Sequence, residues 1–218
     1  LGYTSGLVRD LSSVPYRFSL GVPSPKLVAG QKYCVRVSPY NRMGYGQSLV
    51  STPLCAIPPF QVPYKPSSYY HIDQAPTLYV SSGSSADVYF GKPTFVGGSP
   101  VTHYKIEWDN VASFDSQQGT PFSKIINVGP DFERASFRIE DLALGKPCFV
   151  RLVAYNAERG YGDFISTSPA SVIPRLPPSA PGSVTSKVLS KSSMRVSWTD
   201  AVPNGGAITG YKVEWMAR

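Results

Sequence analysis

The sequence predicts an all-β fold of tandem sandwich modules, and three observations predict it. The first is a repeat. Residues 33–58 read YCVRVSPYNRMGYGQSLVSTPLCAIP and residues 148–174 read CFVRLVAYNAERGYGDFISTSPASVIP. They share the frame VR-(V/L)-x-x-YN, then GYG, ST and IP, so Asn41 matches Asn156, Gly46 matches Gly162 and Pro58 matches Pro174. The spacing, 174 − 58 = 116 residues, is that of one small domain plus a linker. The second observation is another repeat, offset from the first: PVTHYKIEWD at 100–109 and AITGYKVEW at 207–215. Each follows a Gly-Gly turn signal, and Tyr104, Ile106 and Trp108 alternate with Lys105, Glu107 and Asp109, the period of a half-buried strand. The third is composition: 21 Pro, 19 Gly, 14 Tyr and 10 Phe, with no helical period sustained over a helix's length. Turn formers mixed with aromatics favour short strands.

The order of the repeats sets the expected domains. Residues 1–58 carry only the later part of a module, 76–174 carry both parts, and 175–218 carry only the earlier part. The expectation is one complete and two partial sandwiches, with a Pro/Tyr-rich linker at 59–75 and the joint PRLPPSAP at 174–181. A sandwich short of half its strands exposes sheet edges and an apolar face, so the chain is expected to be a stretch of a longer polypeptide. The Pro-rich joints are expected to be semi-rigid.

These residues resemble the fibronectin type III family. RVSW at 195–198 is similar to that family's second strand with its core Trp198, and YKVEW at 211–215 to its third. Leu27, Gly30, Tyr33, Val35, Val37 and Asn41 fall in the pattern L-x-x-G-x-x-Y-x-V-x-V-x-x-x-N, which is similar to the sixth strand and its approach. The resemblance covers nearly the whole chain and implies immunoglobulin-like sandwiches of seven strands in two antiparallel sheets. There are departures. Tyr33 stands at the family's corner tyrosine but Cys148 replaces it in the middle module, and Phe90 stands where the third module has Trp198. The stretch 110–130 is also long, and the first linker exceeds the second by about eleven residues.

Charge excludes little and favours less. The net charge is +7, distributed as +5 over 1–58, zero over 59–74, −2 over 75–174 and +4 over 175–218. No basic block is present, so no nucleic-acid role is expected. No apolar run is long enough to span a membrane, and no Asn-x-Ser/Thr sequon occurs.

The residues offer no catalytic constellation. His71 lies in the linker and His103 before a strand, with no metal-ligand partner at close spacing. Asp109, Asp115, Asp131, Glu133, Glu140 and Asp141 lie around loops without an EF-hand spacing, and they read as turn caps. No catalytic residue, cofactor or metal is therefore expected. Two features stand out. Tyr64, Tyr69 and Tyr70 form an aromatic cluster in the linker, which packs either within the chain or on a partner protein. Cys34 and Cys55 have two readings, a bridge or two free thiols. With Gly44-Tyr45 as the turn centre, opposite residues sum to 89, and 34 + 55 = 89 places the two cysteines side by side. In the middle module those positions are Phe149 and Ser171, and Cys148 is left over. Modules that each bury a core set length and present surfaces. The expected function is a non-enzymatic structural or adhesive spacer, extracellular or at the cell surface. Its expected partners are other protein chains, including copies of itself or neighbouring modules. The alternatives are a cytoskeletal or ciliary scaffold and a receptor ectodomain.

Overall fold

The computed structural model describes residues 4–21, 26–116 and 119–217. Among them are fourteen strands and no helix. They fall into two compact units: one runs to Gln61 and includes Gly97–Ser99, and the other holds Val62–Val96 and the residues from Pro100 on.

In the first unit, β1 (Tyr33–Val37) pairs antiparallel with β4 (Leu49–Ala56), and between them lie the short β2 (Tyr40–Asn41) and β3 (Gly44–Tyr45). The turn centre differs from the expected Gly44-Tyr45. Tyr40 faces Tyr45 and Asn41 faces Gly44, so the turn residues are Arg42 and Met43. The physical reason is the Asn41 side chain, whose Oδ1 accepts the Met43 N–H at 2.8 Å and closes an Asx turn two residues earlier. The register then slips on the way down the ladder: Val37 faces Leu49 and Arg36 faces Val50, but past a bulge Cys34 faces Cys55. The bulge restores the pairing that the misplaced turn centre had suggested.

The second unit contains a closed sandwich. Its strands are β5 (Thr77–Ser82), β6 (Ser85–Gly91), β7 (Val101–Asp109), β8 (Phe122–Asn127), β9 (Arg134–Ile139), β10 (Cys148–Asn156), β11 (Gly160–Tyr161) and β12 (Ile165–Val172). One sheet runs β5-β6-β9 and the other β8-β7-β10-β12, with the two-residue β11 against β10. A single parallel bridge, Ser168 to Thr77, stitches the two at one edge. Alternation fills the core: Ala86, Val88 and Phe90 from β6 meet Tyr104 and Ile106 from β7 and Val150, Leu152 and Ala154 from β10, all fully buried. Phe90 occupies its predicted core place, its ring 5.1 Å from that of Tyr104.

The second unit ends in a hairpin of β13 (Gly182–Ser190) and β14 (Ser193–Thr199). Residues 211–215 form no strand, contrary to the sequence expectation. Their counterparts in β7 are held on both sides, by β8 and β10. Among the described residues no strand pairs with this segment, and a strand without partners leaves its backbone groups to water. Trp198 is correspondingly half-exposed, against the 5.5 Å ring of Tyr211.

Candidate functional site

The candidate site is built from the aromatic surfaces and the joints of the described residues. The outer face of sheet β5-β6-β9 carries the largest aromatic group. Because Leu78, Val88 and Phe90 point inward, Tyr79 and Tyr89 must point outward. Tyr69 reaches this face from the linker. Its ring lies 4.9 Å from Tyr70 and 5.7 Å from Tyr89, and Tyr89 lies 6.0 Å from Tyr79. The Arg134 guanidinium sits 5.1 Å over the Tyr69 ring. Beside them Arg138 grips Asp87 bidentately, Nε to Oδ1 at 2.7 Å and Nη2 to Oδ2 at 3.0 Å. That hydrogen bonding holds the Asp87 carboxyl below its usual range. Tyr70 and Tyr79 remain exposed. The structure thus places Tyr69 and Tyr70 together and adds Tyr79, Tyr89 and Arg134. Period-2 alternation in β5 and β6 was the available signal for the two strand tyrosines. Tyr64 lies elsewhere, edge-on to Phe95 at 5.1 Å.

The opposite outer face is covered from within. Glu107 is buried, with Lys105 Nζ at 2.6 Å and Arg151 Nη2 at 2.7 Å. The Arg151 guanidinium is clasped between Phe114, 4.2 Å away, and Phe164, 4.4 Å away. Phe114 belongs to the long stretch after β7 and takes a left-handed backbone, φ 58°, which costs a non-glycine residue on the order of 1 kcal/mol. Burial of its ring on Arg151 offsets that cost. Asp109, buried at the root of the same stretch, accepts from the Ser116 N–H at 3.0 Å, the Ser116 hydroxyl and the Asn110 N–H at 2.6 Å. Burial raises its pKa, but these donors together outweigh burial and leave it lowered. The long 110–130 stretch therefore folds onto its own sheet.

His103 stacks on Tyr155 at 4.2 Å with Nε2 at 3.1 Å from the Tyr161 hydroxyl, and burial lowers its pKa. His71 is exposed in the linker. Asp131, Glu140 and Asp141 are exposed, and Glu133 pairs with Lys92. Among the described residues no group of three His, Cys, Asp or Glu is placed to hold a metal ion. Among the described residues no helix is long and apolar enough to cross a membrane.

Cys34 and Cys55 are joined, Cα to Cα 4.0 Å, with Cys34 exposed on the outer side of β1. Their counterparts Phe149 and Ser171 face each other in the same register. Cys148 is a free, buried thiol, and burial pushes its pKa up to about 12.

One joint occurs twice. In the first unit the Gly30 N–H donates to the Pro58 carbonyl at 2.9 Å, and in the second the Gly145 N–H donates to the Pro174 carbonyl at 2.9 Å. Both glycines are left-handed, φ 73° and 72°. Each packs on a second left-handed glycine: a Cβ on Gly98 would collide with the Ala29 carbonyl, and a Cβ on Gly205 would lie 2.6 Å from the Gly145 nitrogen. The Pro-rich segment is tied on further by Gln61 N–H to Gly97 O in one unit and Leu176 N–H to Asn204 O in the other.

Strands β5-β6-β9 facing β8-β7-β10-β12 decide the architecture. The sandwich of residues 77–172 has the fibronectin type III fold. No protein-family model matches the chain. Solved structures similar to it include the twitchin kinase region from C. elegans, at 22% identity and TM-score 0.39 over 52% of this chain and 17% of that one. Domains d3-d4 of the rat CD45 extracellular region are 16% identical at TM-score 0.42, over 76% of this chain and 82% of that one. The FN1-FN3 domains of chicken CNTN1 are 19% identical at TM-score 0.36, over 65% of this chain and 44% of that one.

Proposed function

We propose that the chain is a non-enzymatic spacer, a structural or adhesive segment of an extracellular or cell-surface modular protein. The observation that carries this reading is the repeated joint. Two Pro-rich connectors end on the same glycine hydrogen bond and the same glycine-on-glycine contact. A connector held by two hydrogen bonds and close packing is stiffer than a free linker, and stiffness is what a spacer needs. The modules of this reading are 1–58, 76–174 and 175–218, with 59–75 as linker. The Cys34–Cys55 bridge supports an oxidising compartment. The partners are other protein chains, and Tyr69 and Tyr70, with Tyr79, Tyr89 and Arg134, are the contact surface. Exposed tyrosine and arginine have the composition of interface anchors. Tyr64 is a further partner contact of this reading.

The test is alkylation of the native protein without reductant, together with antibody labelling of intact cells. Labelling of intact cells with Cys34 and Cys55 unreactive is expected. Reactive thiols and labelling only after permeabilisation would sink the extracellular reading. They would favour a cytoskeletal or ciliary scaffold, for which the +5 of residues 1–58 and +4 of 175–218 suit an acidic filament surface.

A further inference from the structure

Across the outer face of β7, β10 and β11 runs a row of one imidazole and two phenols. His103 on β7 faces Tyr155 on β10, and Tyr155 faces Tyr161 on β11. The turn before Tyr161 is fixed by three hydrogen bonds. Asn156 Oδ1 accepts the Arg159 N–H at 2.9 Å, the buried Asn156 amide donates to the Val96 carbonyl at 2.9 Å, and the Gly162 N–H donates to the Ala154 carbonyl at 3.0 Å. Tyr161 is thereby aimed back over the row. Its ring stands edge-on to Tyr155 at 4.9 Å and to His103 at 5.5 Å, and its hydroxyl lies 3.1 Å from His103 Nε2. The imidazole is pinned from its other side by the stack on Tyr155 at 4.2 Å and by Thr102 Oγ1, 3.2 Å from Nδ1. A phenol, with a pKa of about 10, is a far stronger proton donor than an aliphatic hydroxyl. The Tyr161 O–H therefore donates to Nε2, and the Nδ1–H goes to Thr102 Oγ1. Burial lowers the His103 pKa, which keeps the ring neutral near pH 7 and Nε2 an acceptor. Tyr161 itself is 41% exposed, so a reagent in solvent reaches its ring edge.

We propose that Tyr161 is an oxidative modification site, its phenolic proton passing to His103 Nε2 as a one-electron oxidant of the peroxidase class takes an electron from its ring. Loss of an electron turns a phenol O–H into a strong acid, so the electron leaves readily only where a base takes the proton in the same step. At 3.1 Å the imidazole is within reach for that role. The oxidant gains one electron, Tyr161 becomes a neutral phenoxyl radical, and His103 becomes an imidazolium that returns its proton to water. Two phenoxyl radicals then join through their ortho carbons. As each ring regains aromaticity, its ortho hydrogen leaves as a proton and its oxygen takes one up. The net change is one C–C bond formed, two ortho C–H bonds broken, two electrons passed to the oxidant and two protons released to water. Every group involved lies in the closed sandwich, and the inference does not rest on the spacer reading.

Photo-oxidation of the 218-residue chain by a ruthenium(II) polypyridyl complex and persulfate at limiting light, followed by peptide mass mapping, tests it. Tyrosine–tyrosine cross-links, within one copy or between two, are expected to run through Tyr161 in preference to Tyr70 and Tyr79, although those two are more exposed, at 61% and 53%. His103→Phe keeps a ring for the stack and removes the proton acceptor. It should lower the yield at Tyr161 at least about tenfold while the yields at Tyr70 and Tyr79, on the other sheet, stay as they were. Those two yields also report that the sandwich is intact. His103→Leu repeats the test where phenylalanine disturbs the fold. Cross-links that follow exposure alone overturn the proposal, and so does a Tyr161 yield that neither variant lowers relative to Tyr70 and Tyr79.

Discussion

Leu152 in the closed sandwich is wholly buried, and its counterpart Val37 in the first unit is 70% exposed; Ile106 is wholly buried and its counterpart Val213 is 43% exposed. The sequence frames around each pair are nearly the same. The residue pattern assigns a side chain to one face of a strand, but whether that face is dry depends on a second sheet being present. Burial is a cooperative property of the closed sandwich, and an isolated ladder cannot supply it.

The sharpest way to break the comparison is to remove the same ring in both settings. Phe90→Ala should destabilise the closed sandwich by about 3–5 kcal/mol, from lost transfer energy and a cavity. Trp198→Ala, at the matching half-exposed position, should cost less than about 1 kcal/mol. Urea unfolding monitored by the far-ultraviolet signal separates the two. Comparable losses would mean that the third segment has a core of its own.

The next largest effect lies at the buried ion pair. Arg151→Ala strips Glu107 of the guanidinium at its Oε2 and uncovers Phe114, with an expected loss of about 3 kcal/mol. The exposed equivalent, Lys212→Ala beside Glu214, should change stability by less than about 0.5 kcal/mol. Restoration of most of the loss by the double change Arg151→Leu and Glu107→Leu would confirm that an orphaned buried charge is the cause.

Acid provides a third contrast. Asp87 and Asp109 have folded-state pKa values below their ordinary one. Their contribution is complete above the unfolded carboxylate value of about 3.9 and is lost as pH falls through the depressed folded values. Stability of the closed sandwich should therefore fall below about pH 4, and Asp109→Asn should flatten that acid limb. An unchanged limb would show that the donors from Ser116 and Asn110 do not favour the charged form.

The smallest effect comes from one hydroxyl. Tyr211 accepts the Ala201 N–H at 3.1 Å. Tyr104, its counterpart, is fully buried with no hydrogen-bond partner for its hydroxyl. Tyr104→Phe should thus be neutral or slightly stabilising, within about 1 kcal/mol, because it removes an unsatisfied group. A clear loss would reveal a partner for that hydroxyl.

Strand existence and facing within the closed sandwich were legible because alternation is a local pattern, whereas the strand expected at 211–215 did not form. The sequence left Cys34 and Cys55 open between a bridge and two free thiols, and it set them side by side for a partly mistaken reason: the turn was placed two residues late, and only the bulge between Cys34 and Arg36 brings Cys34 opposite Cys55. The cover that Phe114 gives Arg151 left no periodic trace, since it depends on a left-handed backbone in an irregular stretch. The tyrosine face was half legible. Tyr69 and Tyr70 are neighbours in sequence, but Tyr79, Tyr89 and Arg134 join them only once β5, β6 and β9 lie side by side.

By itself the sequence determined that this chain is all-β, that its motifs repeat, and which side chains of the closed sandwich face inward. These follow from dihedral preference and period, which each short segment carries alone. Tertiary structure decided which of those inward faces are buried, that YKIEW at 104–108 becomes a strand while YKVEW at 211–215 does not, and that Cys148 is dry while Cys34 is exposed. The physical reason is that a strand's hydrogen bonds and a core's exclusion of water both need a neighbour, and a neighbour is supplied by the fold and not by the segment.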